Sequence, residues 1–190
     1  MKNITVEIVE DGNIELCRDL CNELMAFQKS KAVIAPEVFD LMNFDTRMKK
    51  SYEYAMASQV IVVKNSGVPA GYCFSTLEKV TGANAPLPAW APVDKNKKTL
   101  GFYPEWDNLP EKVGCISNLY FRPEYRGLGL GDRLMDTAMA WFGGFSDINL
   151  VFVYISNGND AALKFYMKHG FTFSHDMFGG FITAVYKYIR

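Results

Sequence analysis

A glycine-rich segment lies between a strand pattern and a helix pattern and limits the folds that are open to this chain. Residues 113–122 are mostly apolar and aromatic, as in a buried strand, and residues 130–142 place an apolar residue at every fourth position. Three glycines lie between them, at alternate positions: Gly127, Gly129 and Gly131. This order predicts a strand–turn–helix unit in which one side of the turn has no β-carbons.

The rest of the chain continues the alternation of strands and helices. Strand patterns occur at residues 4–8, 59–64, 69–78, 113–122, 149–155, 171–174 and 181–189, and helical patterns at 14–27, 37–57, 130–142 and 159–169. We expect the second helix to break near residues 43–45, where Asp45 would cap its second half. The order predicts an α/β (α+β) protein with one domain, residues 1–190, and a mixed sheet with helices on its faces.

Residues 79–112 interrupt this order between the third and fourth strands. The segment holds five of the eight prolines and has no clear periodicity, while Trp90, Phe102, Tyr103 and Trp106 make it too aromatic for simple disorder. We interpret it as a long insertion that packs on the domain's own surface, on a partner subunit or on a substrate. The sequence leaves these three alternatives open.

Composition excludes several classes of function. The formal net charge is −1, from 20 basic and 21 acidic residues, so a nucleic-acid partner is not expected. The N-terminal residues lack the apolar core of a signal peptide, and no apolar stretch is long enough for a membrane helix. The cysteines form no CxxC pair and there are two histidines, so we expect no metal site and a reduced, cytoplasmic protein.

The glycine-rich turn predicts an anion site, because main-chain N–H groups can approach a ligand there and the following helix adds its unpaired donors. Arg126 lies directly before it. The turn is not a P-loop, since no lysine follows Gly131, nor a dinucleotide fingerprint, since Asp132 occupies the third glycine position. A turn that merely lets the helix and the strand pack closely remains the alternative.

Three motifs together resemble the GNAT superfamily of N-acetyltransferases. They are Arg-x-x-Gly-x-Gly at residues 126–131, the apolar strand end and proline at 119–123, and Asn-x-x-Ala-x-x-Phe-Tyr-x-Lys-x-Gly-Phe at 159–171. They occur in the order and at the separations of the family, and cover about residues 113–173. The resemblance implies a mostly antiparallel sheet of about seven strands and about four helices, splayed between the fourth and fifth strands.

The resemblance also implies a cofactor site for acetyl-CoA as co-substrate. The pyrophosphate would lie on the turn, and the pantetheine amides would pair with the main chain of the splayed strand. Asn159 would either bond the cofactor arm or cap its own helix. The cofactor-binding residues expected on this basis are Leu119, Phe121, Arg126, Gly127, Gly129, Gly131, Asp132 and Asn159.

For the chemistry, the resemblance implies that Tyr166 occupies the family position of the general acid. Spacing alone favours the other interpretation, in which Phe165 and Tyr166 are an aromatic pair that packs the helix on the sheet. No carboxylate lies on residues 113–121, a departure from many family members. The general base is therefore left open among Glu78, Glu105, Asp107, a water relay and an amine that arrives neutral. Direct transfer in a ternary complex is expected, since no cysteine has a histidine beside it.

We expect the acceptor to be a primary amine of a small molecule, or of a peptide, bound by residues 28–44 and the insertion. The sequence does not identify the amine, and the resemblance leaves a homodimer open. A competing hypothesis is a non-catalytic acyl-CoA-binding sensor or assembly module with the same fold. A third, a nucleotide-binding enzyme, would bind ATP and not CoA.

Overall fold

The computed structural model describes residues 3–81 and 101–190, and all strands of that part of the chain belong to one sheet. The strands are β1 (Ile4–Ile8), β2 (Ala57–Asn65), β3 (Val68–Lys79), β4 (Lys112–Phe121), β5 (Leu150–Ser156), β6 (Thr172–Met177) and β7 (Ile182–Tyr188). The α-helices are α1 (Arg18–Lys31), α2 (Lys50–Tyr54), α3 (Leu130–Gly143) and α4 (Asp160–Lys168). Short 3₁₀ or π turns precede α1 and α2.

The sheet is mixed and mostly antiparallel, which confirms the predicted fold class. Its order is β1-β2-β3-β4-β5-β7-β6, and every described neighbouring pair is antiparallel except β4–β5. The parallel ladder runs only from Gly114–Val151 to Ile116–Val153, although β4 continues to Phe121 and β5 to Ser156. The two strands therefore separate beyond Ile116, as predicted, and leave one edge of β4 without a partner among the described strands.

A β-bulge marks the point of separation. The β3–β4 register shifts between Phe74–Asn118 and Ser75–Ile116, so Ser117 is an extra residue on β4. A bulge bends its strand and changes the direction of neighbouring side chains. It therefore turns the end of β4 away from β5 and brings Ser117 and Asn118 to the gap.

Two apolar layers hold the helices against the sheet. On one face, buried residues of α1 and the 36–49 segment pack on Tyr72 and Phe74 of β3. On the other, buried residues of α3 pack with Tyr166 of α4 against the opposite side of β2 to β5. The core therefore holds the helices that flank the gap.

The cap predicted at Asp45 is wrong. Asn43 occupies the N-cap: its Oδ1 accepts from the main-chain N of Asp45 (2.9 Å) and Thr46 (3.1 Å), and Thr46 Oγ1 accepts from Asn43 N (2.9 Å). The extended backbone of Asn43 (φ −149°) aims its side chain back at the first turn. The Asp45 carboxylate instead accepts from the Arg18 guanidinium at 2.7 Å. Residues 37–57 accordingly form short turns and α2 rather than two longer helices.

The C-terminal part of the predicted insertion packs on the domain's own sheet, one of the three alternatives. Tyr103 lies edge-on to Phe152 (5.9 Å between ring centroids), and Trp106 lies edge-on to Tyr186 (4.7 Å). Phe102 meets Phe178 at 5.4 Å. Residues 82–100 of the insertion, Trp90 among them, lie outside the described residues.

Candidate active site

The glycine-rich turn lines a cleft of about 320 Å³ between the end of β4 and the N-termini of α3 and α4. Gly127 (φ +72°) and Gly129 (φ +73°) both adopt the left-handed conformation, in which a side chain is strained. A β-carbon at either position would meet no atom within 4 Å. These glycines are therefore required by the backbone, and they leave open space where a ligand can approach the main chain.

Gly131 has a different reason to be glycine. Its φ is ordinary, but a β-carbon there would lie 3.3 Å from the Phe165 ring of α4. Its small size thus lets α3 approach α4. Close packing of this kind was the alternative to an anion site in the sequence analysis. The turn combines an open main-chain face with one close helix contact.

The start of α3 supplies the main-chain donors. Its first hydrogen bond from within the helix runs from Arg133 N to Gly129 O (3.3 Å), so the N–H groups before it are available to a ligand. The Asp132 carboxylate is engaged elsewhere, accepting from His169 Nε2 (2.8 Å) and Lys168 Nζ (3.1 Å). The hydrogen bond from Lys168, and then that from His169, holds the pKa of Asp132 below its ordinary value.

Arg126 forms one wall of the cleft. Its Nε donates to the carbonyl of Phe121 (2.9 Å), and its guanidinium lies over the rings of Phe27 (4.6 Å) and Tyr120 (5.5 Å). The Phe121 carbonyl, at one of the two predicted main-chain positions, is thus already bonded. Leu119, the other one, is half-buried and lines the cleft.

Asn159 also lines the cleft and caps α4. Its side chain accepts from the main-chain N of Ala162 at 3.4 Å, so one of its two predicted roles is present in the structure. The cap uses the side-chain oxygen, and the amide NH₂ group can still donate to a cofactor arm. Bonding of that arm by Asn159 stays a prediction.

Tyr166 is 6% exposed and packs against the rings of Phe165 (5.4 Å between centroids) and Phe171 (5.6 Å). Burial raises the pKa of its hydroxyl, and the nearby thiols of Cys73 and Cys115 act in the same direction. The phenol is therefore protonated at neutral pH. Tyr166 belongs to the buried cluster on the α3 side of the sheet and is not among the residues that line the cleft, although its neighbour Phe165 is.

A second and larger cavity, of about 650 Å³, lies on the other side of the same strand. We refer to it as the acceptor cavity. Asn118 lines it and the adjacent Leu119 lines the cleft, so the two spaces meet at β4, next to the bulge. Its walls are mainly apolar, formed by Met25, Phe39, Met42, Tyr54, Met56, Phe102, Tyr154, Met177, Phe178 and Ile182.

A chain of hydroxyl groups joins the bulge to a carboxylate in the acceptor cavity. Glu78 accepts from Thr76 Oγ1 (2.8 Å), and the Oγ atoms of Thr76 and Ser117 are 3.2 Å apart. Because Thr76 donates its only hydroxyl proton to Glu78, the bond between the hydroxyls has Ser117 as its donor. Ser117 Oγ also lies 3.6 Å from the sulfur of Cys115, a weaker alternative acceptor.

The second oxygen of Glu78 accepts from the hydroxyl of Tyr103 at 3.2 Å. Burial, and then the Glu78 charge, raise the pKa of that phenol, so it remains a donor. The other two carboxylates considered as general bases, Glu105 and Asp107, are exposed and line neither the cleft nor the acceptor cavity. Of the three, only Glu78 is placed to serve the gap.

Sequence reasoning missed Asn118 and the hydroxyls of Ser117 and Thr76. Asn118 is 4% exposed, and its Oδ1 has no hydrogen-bond partner within residues 3–81 and 101–190 although the residue lines the acceptor cavity. A buried acceptor without a partner is costly and is expected to meet a ligand or a water. The available signal was the polar Ser-Asn pair inside an otherwise apolar strand.

The family of this chain follows from residues 30–171, which match the model of the acetyltransferase (GNAT) family. The chain belongs to the GNAT family. A curated relative, mycothiol acetyltransferase of Geodermatophilus obscurus, is 36% identical over 70 residues. That match covers 37% of this chain and 22% of that enzyme, so the chain is compared with only a small part of it.

Solved GNAT structures share the whole fold. The PaiA N-acetyltransferase of Thermoplasma acidophilum, in complex with coenzyme A, has a TM-score of 0.64 at 12% identity, over 98% of this chain and 99% of that one. Arabidopsis thaliana Naa50, with the bisubstrate analogue CoA-Ac-MVNAL, has a TM-score of 0.56 at 16% identity, over 97% of both chains. Arabidopsis thaliana NAA60 in complex with acetyl-CoA has a TM-score of 0.58 at 11% identity, over 98% of this chain and 99% of that one.

Residues 3–81 and 101–190 of this GNAT domain lack two further features. No group of three or more histidine, cysteine or acidic side chains is arranged to hold a metal ion. No helix of the described part is long and apolar enough to cross a membrane.

Proposed function

We propose that this GNAT protein is an N-acetyltransferase that moves an acetyl group from acetyl-CoA to the primary amine of a small molecule or peptide, in a ternary complex. One observation carries the proposal: the glycine-lined cleft and the acceptor cavity meet on β4, where it leaves β5. A donor held in the cleft and an amine held in the cavity would therefore have their reacting ends at the same short segment, Ser117 to Leu119.

The cleft fits the diphosphate and pantetheine of CoA. Open space beside Gly127 and Gly129 and the free N–H groups of α3 suit a diphosphate, and the unpaired edge of β4 suits the amides. The related PaiA and NAA60 structures hold coenzyme A and acetyl-CoA. When bound, acetyl-CoA supplies an activated acetyl thioester. The residues that would hold it are those predicted from the sequence: Leu119, Phe121, Arg126, Gly127, Gly129, Gly131, Asp132 and Asn159.

The hydroxyl chain gives the amine a route for its proton. A primary amine has a pKa of about 10 and must be deprotonated before it attacks. In the proposed step the amine proton passes to Ser117 Oγ, the Ser117 proton to Thr76 Oγ1, and the Thr76 proton to Glu78 Oε1. Glu78 is the general base of this scheme. Asn118 Oδ1, which is buried and has no partner in the part of the chain that the structure describes, is suited to accept a second N–H of the same amine.

Tyr166 is the proposed general acid, giving its phenolic proton to the leaving sulfur. The burial that raises its pKa also disfavours a thiolate beside it, so the proton remains transferable to that sulfur. The competing packing role is real, since Tyr166 contacts two aromatic rings. Both roles are compatible, because the rings fix the phenol while its hydroxyl acts.

Release of free CoA thiol, measured across a panel of amines, tests the proposal. We expect Tyr166→Phe to lower kcat by about 10²-fold or more, as for loss of a general acid, with an unchanged Kd for acetyl-CoA. Tyr188→Phe, at a tyrosine that is 54% exposed on β7, is the matched control and keeps full activity. Full turnover by Tyr166→Phe would refute the assigned acid.

The same assay separates the enzyme from a non-catalytic module. A sensor or assembly module would bind acetyl-CoA, release no thiol with any amine, and bind equally well as Tyr166→Phe. A nucleotide-binding enzyme would be stabilised by ATP and not by CoA in a thermal-shift comparison.

We place the activity in the cytoplasm, a location supported by four cysteines that are all buried and unpaired.

A further inference from the structure

Arg47 is a half-buried cation on the wall of the acceptor cavity, in the turn Phe44–Lys49. Its Nη1 donates to Ser51 Oγ (3.1 Å), and no carboxylate of residues 3–81 or 101–190 lies within ion-pair distance. By contrast, Arg18 and Arg122 are each paired with carboxylates at 2.7 and 2.8 Å. A partly desolvated guanidinium without a carboxylate is suited to bind an anion from solution.

The charge of Arg47 acts into the cavity. Burial raises the pKa of the Tyr154 hydroxyl and of the Cys115 thiol, and in both cases the Arg47 charge opposes that rise. Both residues lie with Arg47 on an adjoining space of about 250 Å³, which Glu78 and Ser117 also line. A small molecule in this region can therefore contact the Arg47 guanidinium and the proposed proton route together.

Cations outnumber carboxylates around the acceptor cavity. Arg47, Lys50 and Lys79 line it, whereas Glu78 is its single acidic residue among those described. A polyamine would meet three like charges there. An acceptor that carries an anion near its amine would be attracted by the cations and could still present an N–H to Glu78 and Asn118.

The rest of the wall of the acceptor cavity is suited to an apolar group on the acceptor. Four methionines, Met25, Met42, Met56 and Met177, line the cavity together with aromatic rings. Methionine side chains are flexible and polarizable, so they adapt to the shape of an apolar ligand. The cavity thus offers three different surfaces: a cation, an apolar wall, and buried hydrogen-bond acceptors next to β4.

We infer that the acceptor is an amine that also carries a carboxylate and an apolar side chain, as an apolar α-amino acid does, and that Arg47 selects it by binding the carboxylate. This inference rests on the proposed function and names the substrate class of that site. The amine is directed to Ser117 and Asn118, and the side chain to the methionines. A peptide N-terminus lacks the carboxylate next to its amine and is not the preferred acceptor.

The test compares three probes of one carbon skeleton: L-leucine, L-leucinamide and 3-methylbutylamine, with spermidine and a leucine-initiated pentapeptide as further acceptors. For the unaltered protein we expect kcat/KM for L-leucine to exceed that for each other compound at least tenfold. Arg47→Gln should raise the KM for L-leucine at least tenfold with little change in kcat, and leave L-leucinamide unaffected. Arg47→Lys should restore part of the preference. Lys49→Gln, at an exposed cation of the same turn that is not among the residues lining the cavity, is the matched control and keeps it.

The outcomes separate this inference from the proposed function. Equal or better turnover of the amide, the polyamine or the peptide overturns the inference and leaves the N-acetyltransferase intact. If no amine is acetylated, the proposed function fails, and calorimetry of N-acetyl-L-leucine with the CoA-loaded protein decides the inference. A Kd that Arg47→Gln weakens at least tenfold supports it, and absence of binding refutes it. Circular dichroism melts of each variant establish that it is folded.

Discussion

Replacing Gly129 by alanine tests the turn most sharply, because the chain contains a matched glycine elsewhere. Gly129 (φ +73°) and Gly67 (φ +85°) are both left-handed, and a β-carbon at either meets no atom within 4 Å. Gly67 lies in the β2–β3 hairpin turn, whereas Gly129 lines the cleft and caps α3. The two substitutions therefore carry the same backbone strain and differ in their position relative to the proposed ligand.

The expected magnitudes follow from these positions. A non-glycine residue in the left-handed region costs about 1–2 kcal/mol, which lowers Tm by roughly 2–8 °C for a chain of this length. Both variants should show this loss. Only at Gly129 does the new methyl group enter the cleft, where it obstructs a main-chain N–H. A hydrogen bond to a charged group contributes about 1.5–3 kcal/mol, so affinity for acetyl-CoA should fall by about 10- to 100-fold.

Calorimetric titration with acetyl-CoA and thermal melts of the three proteins provide the measurement. We expect Gly129→Ala and Gly67→Ala to melt at similar temperatures below the parent, and Gly67→Ala to bind acetyl-CoA as the parent does. Similar affinity in both variants would refute the argument, since it would mean that the open face of the turn is not where the diphosphate binds.

Three further predictions concern the base, a cap and an ion pair. Glu78→Gln should lower kcat by about 10²-fold or more, with Glu111→Gln as control; full turnover by Glu78→Gln would exclude Glu78 as base. Asn43→Ala should lower Tm by about 2–4 °C, since a lost N-cap costs about 1 kcal/mol, and Asp45→Ala should lower it less; the reverse order would contradict the observed cap. The pKa of Asp132 is lowered in the folded protein, so its charge stabilises the fold above the ordinary carboxylate pKa of about 4, and this stabilisation is lost as pH falls through the folded pKa. The difference in Tm between the parent and Asp132→Asn should therefore disappear in acid. A difference that does not change with pH would count against the pairing of Asp132 with Lys168.

Much of the fold could be predicted because it rests on local patterns. Apolar patterns placed the strands to within a few residues, as at β2 and β3. The order of the motifs led to the GNAT family and hence to the separation of β4 from β5, which the short parallel ladder confirms. The roles assigned to Tyr166 and the cofactor-binding residues remain predictions.

What could not be predicted depends on register and on competition between neighbouring side chains. The apolar pattern of β4 does not reveal that Ser117 is an extra residue in the β3–β4 pairing. This bulge nevertheless directs Asn118 and the hydroxyl chain toward the gap. Asn43 and Asp45 are both suitable N-cap residues. The Asp45 carboxylate pairs with Arg18, which is distant in sequence, and Asn43 caps the helical turn. The sequence likewise gave no signal that Arg47 would remain without a carboxylate, because ion pairing is decided by the tertiary structure.

A crystal structure of the protein with saturating acetyl-CoA would show directly whether the diphosphate binds at the glycine-rich turn. We predict diphosphate oxygens within hydrogen-bond distance of main-chain N atoms between Gly127 and Asp132, and the thioester beside Ser117 to Leu119. A cofactor bound elsewhere on the sheet, or density absent from the turn at a concentration that saturates the protein in solution, would contradict the account.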